Sequence, residues 1–94
     1  MNIESVNNQR VKNWLKLKDK KYRDKTNTFL IEGDHLLKEA LKRDLVLEII
    51  ALDESFKESG IPFYLVSTSV MKKLTNQVSY SPVVAVVKKL EPKN

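Results

Sequence analysis

Few residues in this sequence could carry covalent chemistry. His35 is the only histidine, and it directly follows Asp34. A nucleophilic site built from this pair with Ser67 or Ser69 has the required residue types, but no spacing in the sequence supports it. A single histidine in the first turn of a predicted helix is more typical of a partly exposed surface position. We therefore expect no catalytic residue in this chain, and a small hydrolase that depends on His35 is the weaker alternative.

The sequence also lacks the usual patterns for binding metals and cofactors. Its 94 residues include no cysteine, which excludes disulfides, thiolate metal sites and cysteine nucleophiles. The two glycines, Gly33 and Gly60, lie 27 positions apart, so they form neither a dinucleotide-binding motif nor a phosphate-binding loop. The familiar zinc-ligand spacings are absent as well. We expect neither a metal nor a cofactor in this chain.

The distribution of charge gives a clearer functional signal. Residues 1–25 hold eight basic and three acidic side chains, whereas residues 26–94 hold nine of each, so the whole net charge of +5 lies in the first quarter of the chain. A basic block beside a neutral body favours a polyanionic partner, with nucleic acid ahead of a membrane surface. The alternative is an ordinary solvated helix face. The candidate phosphate-contacting residues are Arg10, Lys12, Lys16, Lys20, Lys21, Arg23 and Lys25.

The first predicted helix separates apolar from basic side chains. It covers residues 8–18, with Asn7 or Asn8 as its N-cap. One arc of the helical wheel carries Val11, Trp14, Leu15 and Tyr22. The roughly opposite side carries a stripe of cations that could follow phosphates, formed by Lys12, Lys16, Lys20 and Arg23. Lys18 falls inside the apolar arc, so we expect a break near Asp19 and a short second turn after it.

Three aromatic residues are candidates for stacking on unpaired bases. Trp14 and Tyr22 lie on the apolar arc, so packing in the core is their expected role. Tyr80 lies in the polar loop 75–81 and is the better candidate for base stacking. A loop aromatic that covers the edge of the sheet is an equally open interpretation of Tyr80.

Strands and helices alternate along the rest of the chain. Strands are predicted at residues 28–31, 47–52, 62–66 and 83–87, helices at about 34–43 and 67–74, and a short helix or turn within 53–59. Asp34 is a candidate cap for the helix that follows it. The alternation predicts an α/β fold: a three-layer α/β/α sandwich around a small, mostly parallel four-stranded sheet. At this length the chain fits a single domain with one core.

An ordered set of short motifs runs along the chain. The most specific of them is Arg23-x-Lys25 followed by Phe29-x-x-Glu32-Gly33. The other positions of the set in the first forty residues are Ser5, Asn8, Val11-Lys12, Leu17, Lys20-Lys21, His35-Leu36 and Glu39-Ala40. Later segments extend it over nearly the whole chain, namely Tyr64–Ser67, Leu74 and Ala85-Val86-Val87. In this order, these residues resemble the N-terminal domain of the SpoU-type, or TrmH-like, RNA 2′-O-ribose methyltransferases.

The resemblance implies that residues 1–90 form an RNA substrate-binding domain, similar in fold to ribosomal proteins that bind kinked RNA. Residues 91–94 would then begin the linker to a methyltransferase domain that is absent from this chain. In the family, that domain is dimeric, binds S-adenosylmethionine and methylates a ribose 2′-hydroxyl. By position, the resemblance assigns RNA contact or its support to Asn8, Lys12, Arg23, Lys25, Glu32 and Gly33.

The partner implied by the resemblance is structured RNA, with ribosomal RNA as the expected class. We expect the isolated domain to be monomeric, the parent protein to be a homodimer, and the location to be the cytoplasm, since no signal peptide or membrane-spanning run is visible. Two other binding functions stay open. One is a protein–protein module whose basic face docks an acidic partner, and the other is a stand-alone ribosome-associated RNA-binding protein.

Overall fold

The structure is a computed structural model that describes residues 2–75 and 81–89. Over these residues the chain forms five strands, four α-helices and a single-turn 3₁₀ helix at Glu54–Phe56. The strands are β1 (Asn2–Ile3), β2 (Thr28–Glu32), β3 (Val46–Ala51), β4 (Phe63–Val66) and β5 (Val83–Lys88). The helices are α1 (Gln9–Lys16), α2 (Lys20–Thr26), α3 (Asp34–Lys42) and α4 (Thr68–Leu74). No helix in this described part is long and apolar enough to span a membrane.

The strands form one sheet in the order β1-β4-β3-β5-β2. β4 pairs in parallel with β1 and β3, whereas β5 is antiparallel to both β3 and β2. Four strands therefore run in one direction and β5 in the other, which confirms the predicted mostly parallel sheet. The predicted count of four strands is wrong, because Asn2 and Ile3 pair with Leu65 and Val66. A strand of two residues is too short to show an alternating pattern in sequence.

Helices cover both faces of the sheet, as the predicted three-layer sandwich requires. On one face, α1 and α4 pack onto the sheet with buried residues that include Val11, Trp14, Met71 and Leu74, and Tyr22 of α2 packs against the same cluster. On the other face, Leu37 and Ala40 of α3 form a second cluster. Between them, β5 contributes to both clusters in strict alternation, as a central strand covered on two faces does.

A short break at residues 17–19 separates the first two helices, and we call α1, α2 and this break the α1–α2 corner. α1 ends at Lys16 with Leu17 as C-cap, and the side chain of Asp19 caps α2 by accepting a hydrogen bond from the amide of Lys21 at 3.0 Å. The predicted break near Asp19 is thus confirmed, although α2 is a helix of seven residues rather than a single turn. Asn8 is the N-cap of α1, with its side-chain oxygen 2.8 Å from the amide nitrogen of Arg10.

The start of α3 differs from the prediction. Gly33, not Asp34, occupies the N-cap position, and Asp34 is the first helical residue. Gly33 has a φ of 102°, a conformation that glycine adopts without the strain that a side chain would bring. Its amide donates to the main-chain oxygen of Val83 at 2.9 Å, which ties the exit of β2 to the start of β5.

Candidate nucleic-acid interface

The corner between α1 and α2 displays three lysines without an ion-pair partner among the described residues. Lys12 lies on α1, while Lys21 and Lys25 lie on α2, and all three are exposed. An exposed ammonium that no carboxylate neutralises can bind a phosphate without first breaking an internal contact. These three lysines are the best-placed members of the predicted phosphate-contacting set.

Two further lysines of the set make weak contacts on the surface of the corner. The Lys16 Nζ atom lies 5.5 Å from the centroid of the Tyr22 ring. The Lys20 Nζ atom lies 2.9 Å from a carboxylate oxygen of Asp24, one turn further along α2. Exposed contacts of these kinds are worth about 1 kcal/mol or less, so both lysines can exchange them for a phosphate at small cost.

Arg10 makes contacts that belong to the fold. Its guanidinium lies 4.6 Å from the centroid of the Tyr64 ring, and its Nη1 atom lies 3.4 Å from a carboxylate oxygen of Glu48. The other oxygen of Glu48 accepts a hydrogen bond from the indole nitrogen of Trp14 at 2.9 Å. Trp14 is only 3% exposed and meets Tyr64 edge to face at 5.4 Å, so the core role predicted for Trp14 is confirmed.

Arg23 departs from the predicted outward stripe. Its Nη1 atom donates to the main-chain oxygen of Leu17 at 2.9 Å, and the side chain is half-buried. The chain leaves the helical conformation between Lys16 and Lys20, so positions that would share one face of a continuous helix no longer do so. The stripe through Lys12, Lys16, Lys20 and Arg23 is therefore interrupted at Arg23.

Arg23 instead lines an open groove of about 470 Å³ that runs beside β2, which we call the β2 groove. Three cations from residues 2–75 and 81–89 line it, one from the α1–α2 corner, one from α2 and one that follows β5. Two of them, Lys18 and Lys89, were not among the residues predicted from the sequence to contact phosphates. Within the described part of the chain, the lining residues are Leu17, Lys18, Arg23, Phe29, Leu30, Glu32, Leu74 and Lys89.

Lys18 and Lys89 are each held in place at this groove. The Lys18 Nζ atom donates to the main-chain oxygen of Lys73 at 2.7 Å, which links the end of α1 to α4. The Lys89 Nζ atom lies 2.6 Å from Asp24, and its side chain is 40% exposed. This ion pair forms because α2 brings Asp24 against the residue that follows β5.

Asp24 therefore joins two lysines from different parts of the chain. Hydrogen bonds from Lys89 and then from Lys20 stabilise its carboxylate and lower its pKa to about 2. At neutral pH the carboxylate is fully ionised and neutralises part of the charge of both lysines. The exposed corner consequently carries a carboxylate that competes with any phosphate for Lys20 and Lys89.

The residues predicted to support the site lie where β2 ends. Glu32 is the last residue of β2 and lines the β2 groove, and Gly33 makes the sharp exit into α3. The predictions for Tyr80 and for a linker at residues 91–94 fall outside the described residues.

The arrangement needed for a hydrolase is not formed. The Ser67 hydroxyl donates to the main-chain oxygen of Glu4 at 2.9 Å and accepts from the amide of Val70 at 3.2 Å, so it caps α4. His35 lies on α3, which covers the other face of the sheet. Within residues 2–75 and 81–89, no group of three histidine or carboxylate side chains comes together that could hold a metal ion.

Comparison with known proteins identifies relatives of this fold. The model of the MRM3-like substrate-binding domain family matches residues 8–85. The chain is 47% identical over 89 residues to the 23S rRNA (guanosine(2553)-2′-O)-methyltransferase RlmP of Bacillus subtilis, in a match that covers 89% of this chain and 36% of RlmP.

Solved structures agree with the sequence match. A crystal structure of an RNA 2′-O ribose methyltransferase superimposes with a TM-score of 0.84 at 25% identity and covers 99% of this chain. An AdoMet-bound rRNA methyltransferase from Sinorhizobium meliloti has the same fold, with a TM-score of 0.84 at 22% identity over 98% of this chain. The chain spans 36–39% of the length of these three relatives. The resemblance to SpoU-type enzymes is confirmed, and the chain belongs to the MRM3-like substrate-binding domain family.

Proposed function

We propose that this chain binds structured RNA and serves as the substrate-recognition part of an rRNA 2′-O-ribose methyltransferase. The observation that carries the proposal is the exposed basic corner of α1 and α2 on a domain of a substrate-binding family. Lys12, Lys21 and Lys25 lie there without ion-pair partners in the described part of the chain. An RNA substrate presents phosphates at regular intervals along its backbone, and the exposed lysines of the corner can bind them.

The chemistry of the corner suits positioning better than sequence reading. Lysine ammonium groups act as point charges towards phosphates, and phosphate contacts fix the orientation of a nucleic acid without reading its bases. Specific recognition of RNA rests on its shape, its 2′-hydroxyls and its unpaired bases. We infer that Lys12, Lys16, Lys20, Lys21 and Lys25 hold the backbone, and that the neighbouring grooves and loops supply the specific contacts.

In the parent protein, this domain would act before the chemical step. Its task would be to hold the RNA so that one ribose reaches the catalytic half of the enzyme. S-adenosylmethionine would supply the methyl group there, in a domain with no counterpart in this chain. RlmP is named for a guanosine of 23S rRNA, and that name supports ribosomal RNA as the class of substrate. We propose a homodimeric parent in the cytoplasm, where ribosomal RNA is found.

A salt titration tests the proposal. Fluorescence anisotropy would measure binding of the 94-residue chain to a structured rRNA fragment and to a DNA duplex of equal length. If about five phosphates are neutralised, the logarithm of the association constant should fall with the logarithm of the salt concentration at a slope of roughly −3.5 to −4.5. We expect tighter binding to the RNA at every salt concentration.

Two outcomes would contradict the proposal. An affinity for RNA that hardly changes with salt would show that the basic corner does not contact the backbone. Equal and weak binding to both nucleic acids would show a general polyanion-binding surface. A protein–protein module with a basic docking face would then be the better explanation.

A further inference from the structure

We propose that the β2 groove binds one unpaired nucleotide of the RNA, with the base against its apolar residues and the phosphate against its cations. This inference rests on the proposed RNA-binding function and assigns part of it to a defined place. The groove lies between the α1–α2 corner, the end of α4 and the edge strand β2.

The groove has the size and the apolar surface that a nucleobase requires. Its volume of about 470 Å³ lies within the range of roughly 300–1,000 Å³ that is typical of small-ligand sites. Leu17, Leu30 and Leu74 line it from three different elements of the fold, and Phe29 adds an aromatic ring to the lining residues. A base that leaves its stack exposes an apolar face, which these residues can cover.

The cations of the groove complement a phosphate. Among the described residues, Lys18, Arg23 and Lys89 line it together with the carboxylate of Glu32, and Asp24 neutralises part of the charge of Lys89. Lys18 and Arg23 are each held by a neutral main-chain oxygen, at 2.7 and 2.9 Å, so these contacts fix their positions without cancelling their charge. An ammonium has three N–H donors and a guanidinium has five, which leaves donors for a ligand.

The combination of surfaces distinguishes an unpaired nucleotide from other anionic ligands. A free phosphate would use the cations and leave the exposed parts of Phe29 and Leu30 in contact with water. In double-stranded RNA the bases are stacked, and the deep, narrow major groove keeps side chains from reaching them. Only a nucleotide splayed out of a loop, bulge or kink offers both a bare base and a phosphate to the same groove.

Titration of the 94-residue chain with three small probes separates the two halves of the proposal. The probes are uridine 5′-monophosphate, uridine and inorganic phosphate, and NMR follows the leucine methyl and backbone amide signals. We expect the monophosphate to shift the methyl signals of Leu17, Leu30 and Leu74 and the amide signals near Lys18 and Lys89. We expect it to bind more tightly than either of the other two probes.

Variants then test the cations. Lys18→Ala and Lys89→Ala should each weaken binding of uridine 5′-monophosphate by about two- to fivefold, the range expected for one exposed ion pair. Lys57→Ala is the matched control, because Lys57 is an exposed lysine that directly follows the 3₁₀ helix and does not line the groove. It should leave the affinity unchanged. The apolar half is tested by the choice of probe, so no core residue has to be replaced.

The results test the nucleotide site in the groove and the RNA-binding function separately. If inorganic phosphate binds as tightly as the monophosphate, or if the leucine methyl signals do not move, the groove is not a nucleotide site. If the anisotropy experiment still shows salt-dependent RNA binding in that case, the proposed function stands and only this assignment is overturned. If RNA does not bind at all, the proposed function itself is overturned.

Discussion

The guanidinium of Arg23 donates a hydrogen bond to the main-chain oxygen of Leu17 across the corner between the first two helices, at 2.9 Å. Leu17 is the C-cap of α1, where main-chain oxygens lack the partners that a longer helix would provide. Arg23 supplies one such partner from α2 and so fixes the angle between the helices. The same angle sets where Lys12, Lys21 and Lys25 lie relative to one another.

Replacing Arg23 by alanine should therefore lower the free energy of unfolding as well as weaken RNA binding. A hydrogen bond from a charged group contributes about 1.5–3 kcal/mol to the free energy of unfolding. Because Arg23 is only half-buried, we expect its loss to cost an amount near the lower end of this range. Arg23→Lys keeps the charge and should recover part of the RNA affinity. Urea denaturation measures the stability of both variants. An unchanged denaturation midpoint in Arg23→Ala would show that the bond adds nothing to the stability of the corner.

Lys12→Glu should separate binding from stability. Lys12 is exposed on α1, so the free energy of unfolding should change by no more than about 0.5 kcal/mol. On the proposed function its loss removes one phosphate contact, which should lower RNA affinity and reduce the magnitude of the salt slope by roughly 1. Lys57→Glu makes the same change of charge away from the corner and serves as the control. If both variants weaken binding equally, the effect comes from net charge and not from a contact at Lys12.

The parts of the fold that depend on local signals could be predicted from the sequence. Asp19 marks a helix start because its side chain can accept from the amide two residues later, and the structure contains that contact. The two residues of β1 could not be found in this way, since they are held by pairing with Leu65 and Val66 far along the chain and by burial of Ile3 in the core. The reversed direction of β5 likewise depends on how the chain crosses the molecule and not on the composition of the strand.

The site was less predictable than the fold. The basic corner followed from counting charges, but the helical wheel placed Lys18 on an apolar arc, and no local pattern pointed to Lys89. Both residues reach the β2 groove through long-range contacts, Lys18 with the oxygen of Lys73 and Lys89 with Asp24. A helical wheel drawn through residue 18 assumes a helix that the structure ends at Lys16. Tertiary contacts, and not periodicity, decide which cations share a groove.

Glu48 should matter for stability and not for RNA binding. Its carboxylate accepts from the indole nitrogen of Trp14 at 2.9 Å and pairs with Arg10. Glu48→Ala leaves the largely buried indole N–H without its acceptor and should cost about 1–3 kcal/mol. Glu48→Gln retains an acceptor oxygen and should cost less. Trp14 is the only tryptophan, so its fluorescence reports unfolding directly. Equal stability of the two variants would argue against the hydrogen bond as the cause.

Asp24→Asn should strengthen RNA binding. Asp24 pairs with Lys20 and Lys89, and its removal frees both lysines for phosphates. We expect an affinity gain of about two- to fivefold at low salt, the range for one exposed ion pair, and a steeper salt dependence. Anisotropy titrations at several salt concentrations measure both quantities. Weaker binding in the variant would instead mean that Asp24 positions the lysines.

Asp24 should also make the free energy of unfolding depend on pH in the acid range. Its pKa is lowered from 3.8 to about 2 in the folded chain, so the folded state resists protonation more than the unfolded state does. The stabilisation is complete above about pH 4 and is lost as the pH falls through 2. Asp24→Asn should lose stability at neutral pH and show a shallower decline between pH 4 and 2. Thermal unfolding followed by circular dichroism across this range measures the difference. Parallel curves for the two proteins would contradict the assignment.

Asn8 has two proposed roles that a pair of substitutions can separate. Its side-chain oxygen caps α1 by accepting from the amide of Arg10, and the resemblance to RNA methyltransferases assigns the same residue to RNA contact. Asn8→Ala removes the cap and should cost about 1 kcal/mol of stability. Asn8→Asp keeps an acceptor at the positive end of the helix and should keep the stability within about 0.5 kcal/mol.

The RNA affinities of these two variants then decide between the roles. The aspartate places a negative charge beside any bound phosphate, so Asn8→Asp should weaken binding by about two- to fivefold although the fold is intact. Asn8→Ala should weaken it less, provided that the titration is made under conditions where the variant is folded. Circular dichroism on the same samples verifies that condition. Wild-type affinity in Asn8→Asp would restrict Asn8 to its capping role and move the RNA contact further along α1, towards Lys12.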